Sequence, residues 1–308
     1  SDCAQWLSQF DSGVMADMKL KEMGLSLSAP KATISLQPDS DHLIIDGDKV
    51  SGAGVDTDDA AAYRNFRQMM QRFAKVLKTL YHGRPPKLVE KNWTDRITLM
   101  KLGLGLKLLG KGHMQDLMRL ALINIYDVMN EYFNHSAIKS AVAIDAVTGT
   151  NMGPRSPNTV YSYLHRVTGE YLSGSGTTQV MGGMGALGDA LAASATAAGV
   201  EIKLGASVKS ITKIEDKVSG IELADGTQIS SKVVVSSADP TTTFKTLLGY
   251  HHMEAGTAKR VELYRNRSGT AKLHLALNGL PSFEGLSADQ LSQRLLVVPP
   301  LDDMETAL

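Results

Sequence analysis

Thr177-Thr178-Gln179-Val180-Met181-Gly182-Gly183-Met184-Gly185-Ala186-Leu187-Gly188-Asp189-Ala190-Leu191 decides how this chain is read. It is a glycine-rich turn running straight into a helix. Leu187, Ala190, Leu191, Ala195 and Ala198 recur at the spacing of one helical face, and Ser194 is small enough to share it. Gly199 stops the helix, and Val200-Glu201-Ile202-Lys203-Leu204 predicts a strand. Gly183, Gly185 and Gly188 spell G-x-G-x-x-G, the spacing of a dinucleotide cradle. Such a cradle follows a buried strand and has a carboxylate near the end of the next one. Here Gly174-Ser175-Gly176-Thr177-Thr178-Gln179 precedes it, polar and flexible, and the next strand ends in Leu204-Gly205-Ala206-Ser207. Neither condition holds, so the glycines read better as bare backbone that something flat or bulky approaches closely.

Downstream, Ala206–Ile214 and Val218–Leu223 alternate apolar and polar residues, as half-buried strands do. Ala224-Asp225-Gly226-Thr227 is a hairpin turn, and Gln228–Ser231 follows. Together they predict an antiparallel three-stranded meander. Lys232-Val233-Val234-Val235-Ser236-Ser237 predicts a strand buried on both faces. Thr270–Leu277 alternates once more, Leu295–Val298 is a short strand, and the end of the chain starts a helix.

Upstream, Ala32–Leu36 and His42–Asp46 flank Pro38-Asp39-Ser40-Asp41, a hairpin, and Ser51-Gly52-Ala53-Gly54 is a linker. A helical block runs to about Thr148. Its first helix carries Tyr63, Phe66, Met69, Met70, Phe73, Val76, Leu77 and Leu80 on one face, with Thr57 as N-cap and Gly83, Pro85 and Pro86 as stop. Leu99–Lys111 is apolar, glycine-interrupted and basic. It reads either as a packed cap helix or as a surface element leaning on a membrane with its lysines snorkelling. Met114 to Phe133 predicts a third, strongly periodic helix. Gly149 to Gly176 reads as loop, with Tyr161, Tyr163 and Tyr171 placed either to edge a ligand cavity or to pack on helices.

Net charge is zero, which argues against nucleic acid as the main partner. At 43% hydrophobic and 21% charged residues, the 308-residue chain is globular in composition. Cys3 is its single cysteine, so no intrachain disulfide forms. No signal peptide is visible and no run of about 18 apolar residues occurs. These features suit a reducing compartment, cytoplasmic or an organellar matrix, with membrane association left open. Ser1 in place of Met suggests a processed product or a piece of something longer. None of the eight histidines has zinc-ligand spacing, so no metal is expected.

Gln179–Leu187, Gly199–Ile202, Val208–Ile211, Gly220–Gly226 and Val233-Val234-Val235-Ser236-Ser237-Ala238-Asp239-Pro240 form one colinear set. Together they resemble the FAD-dependent oxidoreductases related to phytoene desaturase and carotenoid isomerase, above all the pyridine nucleotide-disulphide oxidoreductase domain-containing branch. Thr246-Leu247-Leu248-Gly249, Ala271–Leu277 and Val297–Asp303 continue the match. The resemblance implies a mixed fold, α+β or α/β: part of an FAD-binding, amine-oxidase-like domain with a substrate-domain sheet and a helical cap. On that basis residues 1–55 are substrate-domain hairpin and linker, 56–176 mainly helical cap, 177–249 the FAD-domain portion, and 250–308 a further part of the substrate-domain sheet.

The family's amino-terminal FAD fingerprint and its carboxy-terminal glycine-rich segment have no match here, so the chain reads as the middle of a flavoprotein. FAD is then the cofactor of the complete protein and is held weakly or not at all by this chain alone. By resemblance, Gly182, Gly183 and Met184 face the flavin and the substrate cavity, Val208 meets the adenine through its backbone, and Ser236, Ser237 and Ala238 cross back toward the FAD domain. Tyr161 and Tyr163 are the candidate substrate contacts, and no catalytic side chain is identified. The expected partners are an apolar small-molecule substrate, a membrane surface and a second copy of the chain. The alternative is a non-catalytic module that binds a lipid or a partner subunit without its own phosphate cradle.

Overall fold

Hairpin pairing at the amino end and a returning carboxy-terminal strand build the sheet on which the helices pack. The computed structural model describes residues 4–39, 41–83, 85–87, 92–265 and 269–306; Cys3 and Ser40 lie outside them. Two compact units result: Ser1–Ala198 with Ser268–Leu308, and Gly199–Arg267.

The first unit opens with helix α1 (Ser12–Asp17), capped by Asp11, whose carboxylate accepts from Gly13 and Val14 N–H. Strands β1 (Thr33–Ser35) and β2 (Leu43–Asp46) form the expected hairpin, antiparallel, with Ile34 opposite Ile44. The stretch read as a linker begins instead within strand β3 (Lys49–Ser51), which pairs antiparallel with β2. The signal was Gly47, whose φ of +61° makes the tight turn between them.

Helix α2 (Thr57–Tyr81) buries Tyr63, Phe66, Met69, Met70, Phe73, Ala74 and Val76, the face its periodicity predicts. Its N-cap is Asp56, whose carboxylate accepts from Asp59 N–H at 2.8 Å; Thr57 is the first helical residue. Helix α3 (Trp93–Leu108) starts earlier than its apolar stretch suggests, because Asn92 caps it. The predicted third helix is two, α4 (Lys111–Leu120) and α5 (Ile125–Tyr132). The break falls where the Asn124 carboxamide accepts from Asp127 N–H and starts a new helix. Helix α6 (Ser136–Val147) is mostly apolar and buries Ala137, Ile138, Ala141, Val142, Ala143, Ala146 and Val147.

Helix α7 (Thr159–Ser173) corrects the loop expected over 149–176. Two prolines and many polar residues obscured it, but Val160, Leu164 and Val167 keep helical spacing and are buried. Helices α2, α5, α6 and α7 enclose the main core, with Phe66 at its centre. The Phe66 ring lies 5.3 Å from Tyr132, 5.4 Å from Phe133 and 5.9 Å from Tyr163. Helix α8 (Met184–Ala197) follows the glycine turn and ends at Gly199, with φ +85°.

In the second unit, β4 (Val208–Ile214), β5 (Lys217–Leu223) and β6 (Gln228–Ser230) form the predicted meander. A π-helical segment at Thr241–Leu248 and helix α9 (Ala255–Leu263) follow. Back in the first unit, β7 (Arg294–Leu296) pairs parallel with β1, giving the order β3-β2-β1-β7, and α10 (Leu301–Thr306) closes the described chain.

Three predicted strands are absent. Residues 200–204, 232–237 and 270–277 have no ladder partner among the described residues. Their apolar side chains stand in solvent: Leu204 is 91% exposed, Val235 92% and Leu273 79%. Alternation writes a strand's faces into sequence, but a strand exists only where a neighbour accepts its hydrogen bonds.

Candidate functional site

Short extended segments on either side anchor the glycine turn. Leu7 and Thr178 exchange backbone hydrogen bonds at 2.8 and 3.0 Å, and the Thr178 hydroxyl also donates to Leu7 O. On the other side, Ser28 N–H donates to Gln179 O and Met181 N–H to Ser26 O. Thr178 and Val180 are thereby buried. Leu187 and Ala190 of α8 pack with Val180 against Leu20 and Leu25 in a second, smaller core. The apolar side of the helix sets its tilt, and the turn sits at its mouth.

Gly182 and Gly183 have φ of +83° and +86°, in the left-handed region that favours glycine. A Cβ on Gly183 would meet nothing within 4 Å, and one on Gly182 only Ala186 at 3.7 Å. Backbone conformation, not crowding, therefore keeps side chains away and leaves open space in front of the peptide planes. Gly183 is also the N-cap of α8 and no side chain caps the helix there, so its first N–H groups stay available. Gly182, Gly183 and Met184 line a groove of about 630 Å³ whose opposite wall is Lys272 to Leu275. Such a wall suits a flat aromatic ring laid against bare backbone.

The G-x-G-x-x-G reading fares differently. Before α8 stand two isolated β-bridges, at Thr178 and Val180, and after it comes unpaired chain. The parallel strand-helix-strand frame of a dinucleotide cradle is missing around these glycines among the described residues.

A second cavity, of about 150 Å³, lies between the sheet and helices α2, α6 and α7. Its wall carries a chain of ion pairs. The Tyr163 hydroxyl accepts from Arg67 Nη1 at 3.1 Å, and Arg67 Nη2 donates to Glu170 at 3.1 Å. Glu170 also faces Arg166, which pairs with Asp145 at 2.8 Å. Arg294 of β7 donates to both Asp145 oxygens, at 3.1 and 2.5 Å. Three guanidinium groups thus share two carboxylates. Burial pushes the Tyr63 phenol far above the ordinary tyrosine range and raises the Tyr163 phenol as well. Arg67, with Tyr163, Tyr63 and Glu170 beside it, is held firmly cationic. This cavity suits a small polar or anionic group, with Tyr163 a neutral donor on its wall.

Tyr161 and Tyr163 part company. On a helix, positions two apart point to different sides. Tyr163 is 3% exposed and lines the charged cavity, whereas Tyr161 is 44% exposed and faces outward. Val208 opens β4, and Ser236, Ser237 and Ala238 lie in the second unit's exposed connection to its π-helix, where the Ser236 hydroxyl bonds Thr243 at 2.8 Å. Arg67, Asp145, Arg166, Glu170 and Arg294 escaped sequence reading. They are scattered over 228 positions of chain, and only the helix spacing of Arg166 and Glu170 hinted at a pair. No group of three or more His, Cys, Asp or Glu able to hold a metal occurs among the described residues.

The chain resembles known proteins over part of its length. It is 34% identical over 165 residues to the Rattus norvegicus pyridine nucleotide-disulfide oxidoreductase domain-containing protein 2, covering 52% of this chain and 28% of that protein. It is 27% identical over 156 residues to the lycopene-forming phytoene desaturase of Pseudescherichia vulneris, covering 50% of this chain and 30% of the relative. To the neurosporene-forming phytoene desaturase of Rhodobacter capsulatus it is 42% identical over 74 residues, 24% of this chain and 14% of the relative. The matches thus span less than a third of these relatives. The sequence profile of the flavin containing amine oxidoreductases matches residues 64–248, from helix α2 through the glycine turn and meander to the π-helix. With more than half of its length matched, and with mixed helices and sheets of the expected kind, the chain belongs to the flavin containing amine oxidoreductase family.

Proposed function

We propose that this chain supplies part of the flavin-facing and substrate-facing wall of an FAD-dependent oxidoreductase that acts on a hydrophobic small molecule. The carrying observation is the Gly182-Gly183 turn: side-chain-free, left-handed, at an uncapped helix start, and inside the stretch that matches the family. Flavin bound there supplies the hydride or electron transfer. The protein's own residues do the rest. Gly182 and Gly183 let a planar ring lie on the backbone, and the amino end of α8 presents N–H groups and a partial positive charge to it. Val180, Met181, Met184, Leu273 and Leu275 give the groove apolar surface that suits an apolar substrate. Met184 is a further cofactor contact in this reading. Tyr163, fixed by Arg67, would receive a polar end of the substrate.

The polypeptide purified with its native ends tests this. A visible flavin spectrum, with FAD released on acid treatment, is expected. Gly183→Val should reduce flavin content or raise the Kd for added FAD about tenfold or more, followed by quenching of FAD fluorescence. A colourless protein that leaves FAD fluorescence unchanged would remove the assignment.

A further inference from the structure

We infer that helix α3 is a membrane-surface element, made to lie on a bilayer containing anionic lipid. Trp93, Ile97, Met100, Leu104 and Leu108 are 74%, 45%, 69%, 56% and 77% exposed. They recur at i, i+4, i+7, i+11 and i+15, which at 3.6 residues per turn is one stripe about 80° wide and about 22 Å long. An exposed helix face is ordinarily polar; here the solvent face is the apolar one. The opposite side is already occupied. A Cβ on Gly105 would lie 3.3 Å from Val76, and Leu106, with Leu109 just past the helix, packs on the main core. The stripe is therefore surplus to folding. Met118 on α4 and Leu122 beyond it, 67% and 72% exposed, add to the apolar surface nearby.

Charge identifies the occupant. Over residues 93–111 the cations are Arg96, Lys101, Lys107 and Lys111, all exposed, and the single acid, Asp95, is buried, for a net charge of +3. Helical geometry puts Arg96 and Lys107 along one border of the stripe and Lys101 along the other. The Arg96 guanidinium lies 5.5 Å from the Trp93 ring centroid. Apolar stripe, flanking long cations and a tryptophan at one end form the pattern of a helix lying in the interface, with cations reaching headgroups while the stripe enters the acyl boundary. An apolar protein groove would account for the stripe but not for cations on both its borders. Among the described residues no helix is long and apolar enough to cross a membrane; the proposed contact of α3 lies in the plane of the interface. It would also set the protein beside a reservoir of apolar small molecules, although the inference holds whether or not flavin binds.

Vesicle flotation tests it, with phosphatidylcholine alone against phosphatidylcholine mixed with phosphatidylglycerol. The protein should float with the mixed vesicles, weakly with the neutral ones, and less as salt rises. In a Trp6→Phe background, which leaves Trp93 as the sole tryptophan, emission should shift to the blue on adding mixed vesicles. Leu104→Ser with Leu108→Ser should weaken binding to both vesicles about tenfold or more. Lys101→Glu with Lys107→Glu should remove the preference for anionic lipid. These are exposed sites, so melting curves should match the parent. Absence of flotation, or unchanged Trp93 emission, overturns the inference. So does a light-scattering mass twice the chain's that falls to one chain's in Leu104→Ser/Leu108→Ser, which would assign the stripe to a second copy.

Discussion

Arg294 grips Asp145 with both terminal nitrogens and so ties strand β7 to helix α6 across 149 positions of sequence. The same carboxylate also holds Arg166 of α7, at 2.8 Å. One aspartate thus pins a strand to two helices at the wall of the charged cavity.

Asp145→Ala should leave two largely buried guanidinium groups without their shared counter-ion. The expected loss is about 3 kcal/mol, read from the denaturant midpoint. The Arg119–Glu131 pair is a built-in control. It is also bidentate, at 2.8 and 2.9 Å, but both side chains are nearly half exposed. Glu131→Ala should cost under about 1 kcal/mol, because water screens the pair and competes for it. Equal losses would show that exposure does not govern these pairs.

Gly220 in β5 has φ +153°, and a Cβ there would fall 2.1 Å from Ile229 O of β6. Gly220→Ala should therefore force β6 off its neighbour. Hydrogen exchange is the measurement: the Ser231 amide, which donates to Ser219 O at 2.9 Å, should lose its protection, while amides of helices α2 and α7 keep theirs. Protection retained at Ser231 would mean that the β5–β6 pairing absorbs a methyl group.

Tyr63 and Tyr163 should resist alkaline titration. Burial is the main cause in both, and it disfavours the phenolate. The sign follows: each phenol's folded-state pKa lies above its unfolded value, so the stability it contributes is complete below about pH 10. That stability is lost as pH rises beyond, because only the unfolded chain releases the proton. Absorbance titration of the native protein should miss these two tyrosines, and unfolding should release them. Tyr63→Phe should leave the native titration unchanged and lower the denatured one by one group. Tyr81, pushed up to about 12 mainly by burial, should titrate late in the folded state.

Phe66→Ala should cost about 3–5 kcal/mol, since a fully buried ring with three aromatic neighbours leaves a cavity that helices α2, α5 and α7 cannot close. Thermal or denaturant unfolding would show it; a loss under about 1 kcal/mol would mean that the core collapses into the space.

Sequence alone determined the parts whose causes are local. Periodic burial along α2 follows from one face of apolar side chains, and the meander from alternation joined by the Asp225-Gly226 turn. The glycine turn and α8 follow from residues whose backbone freedom is their own property. The colinear motifs also carried the family. Tertiary structure alone decided the parts that depend on a distant partner. Valines 233 to 235 have the composition of a buried strand, yet Val233 and Val235 stand in solvent, because among the described residues no strand lies beside them to complete a ladder. Tyr161 and Tyr163 look equivalent on paper, and only α7, hidden by its polar flanks, sends one into the cavity and the other outward. Of the five charged residues around Tyr163, Arg67, Asp145, Arg166 and Glu170 converge because α2, α6 and α7 pack together, and Arg294 joins them because β7 returns to pair with β1. Their attraction is strong only once packing has removed the water between them, and no window of sequence contains that event.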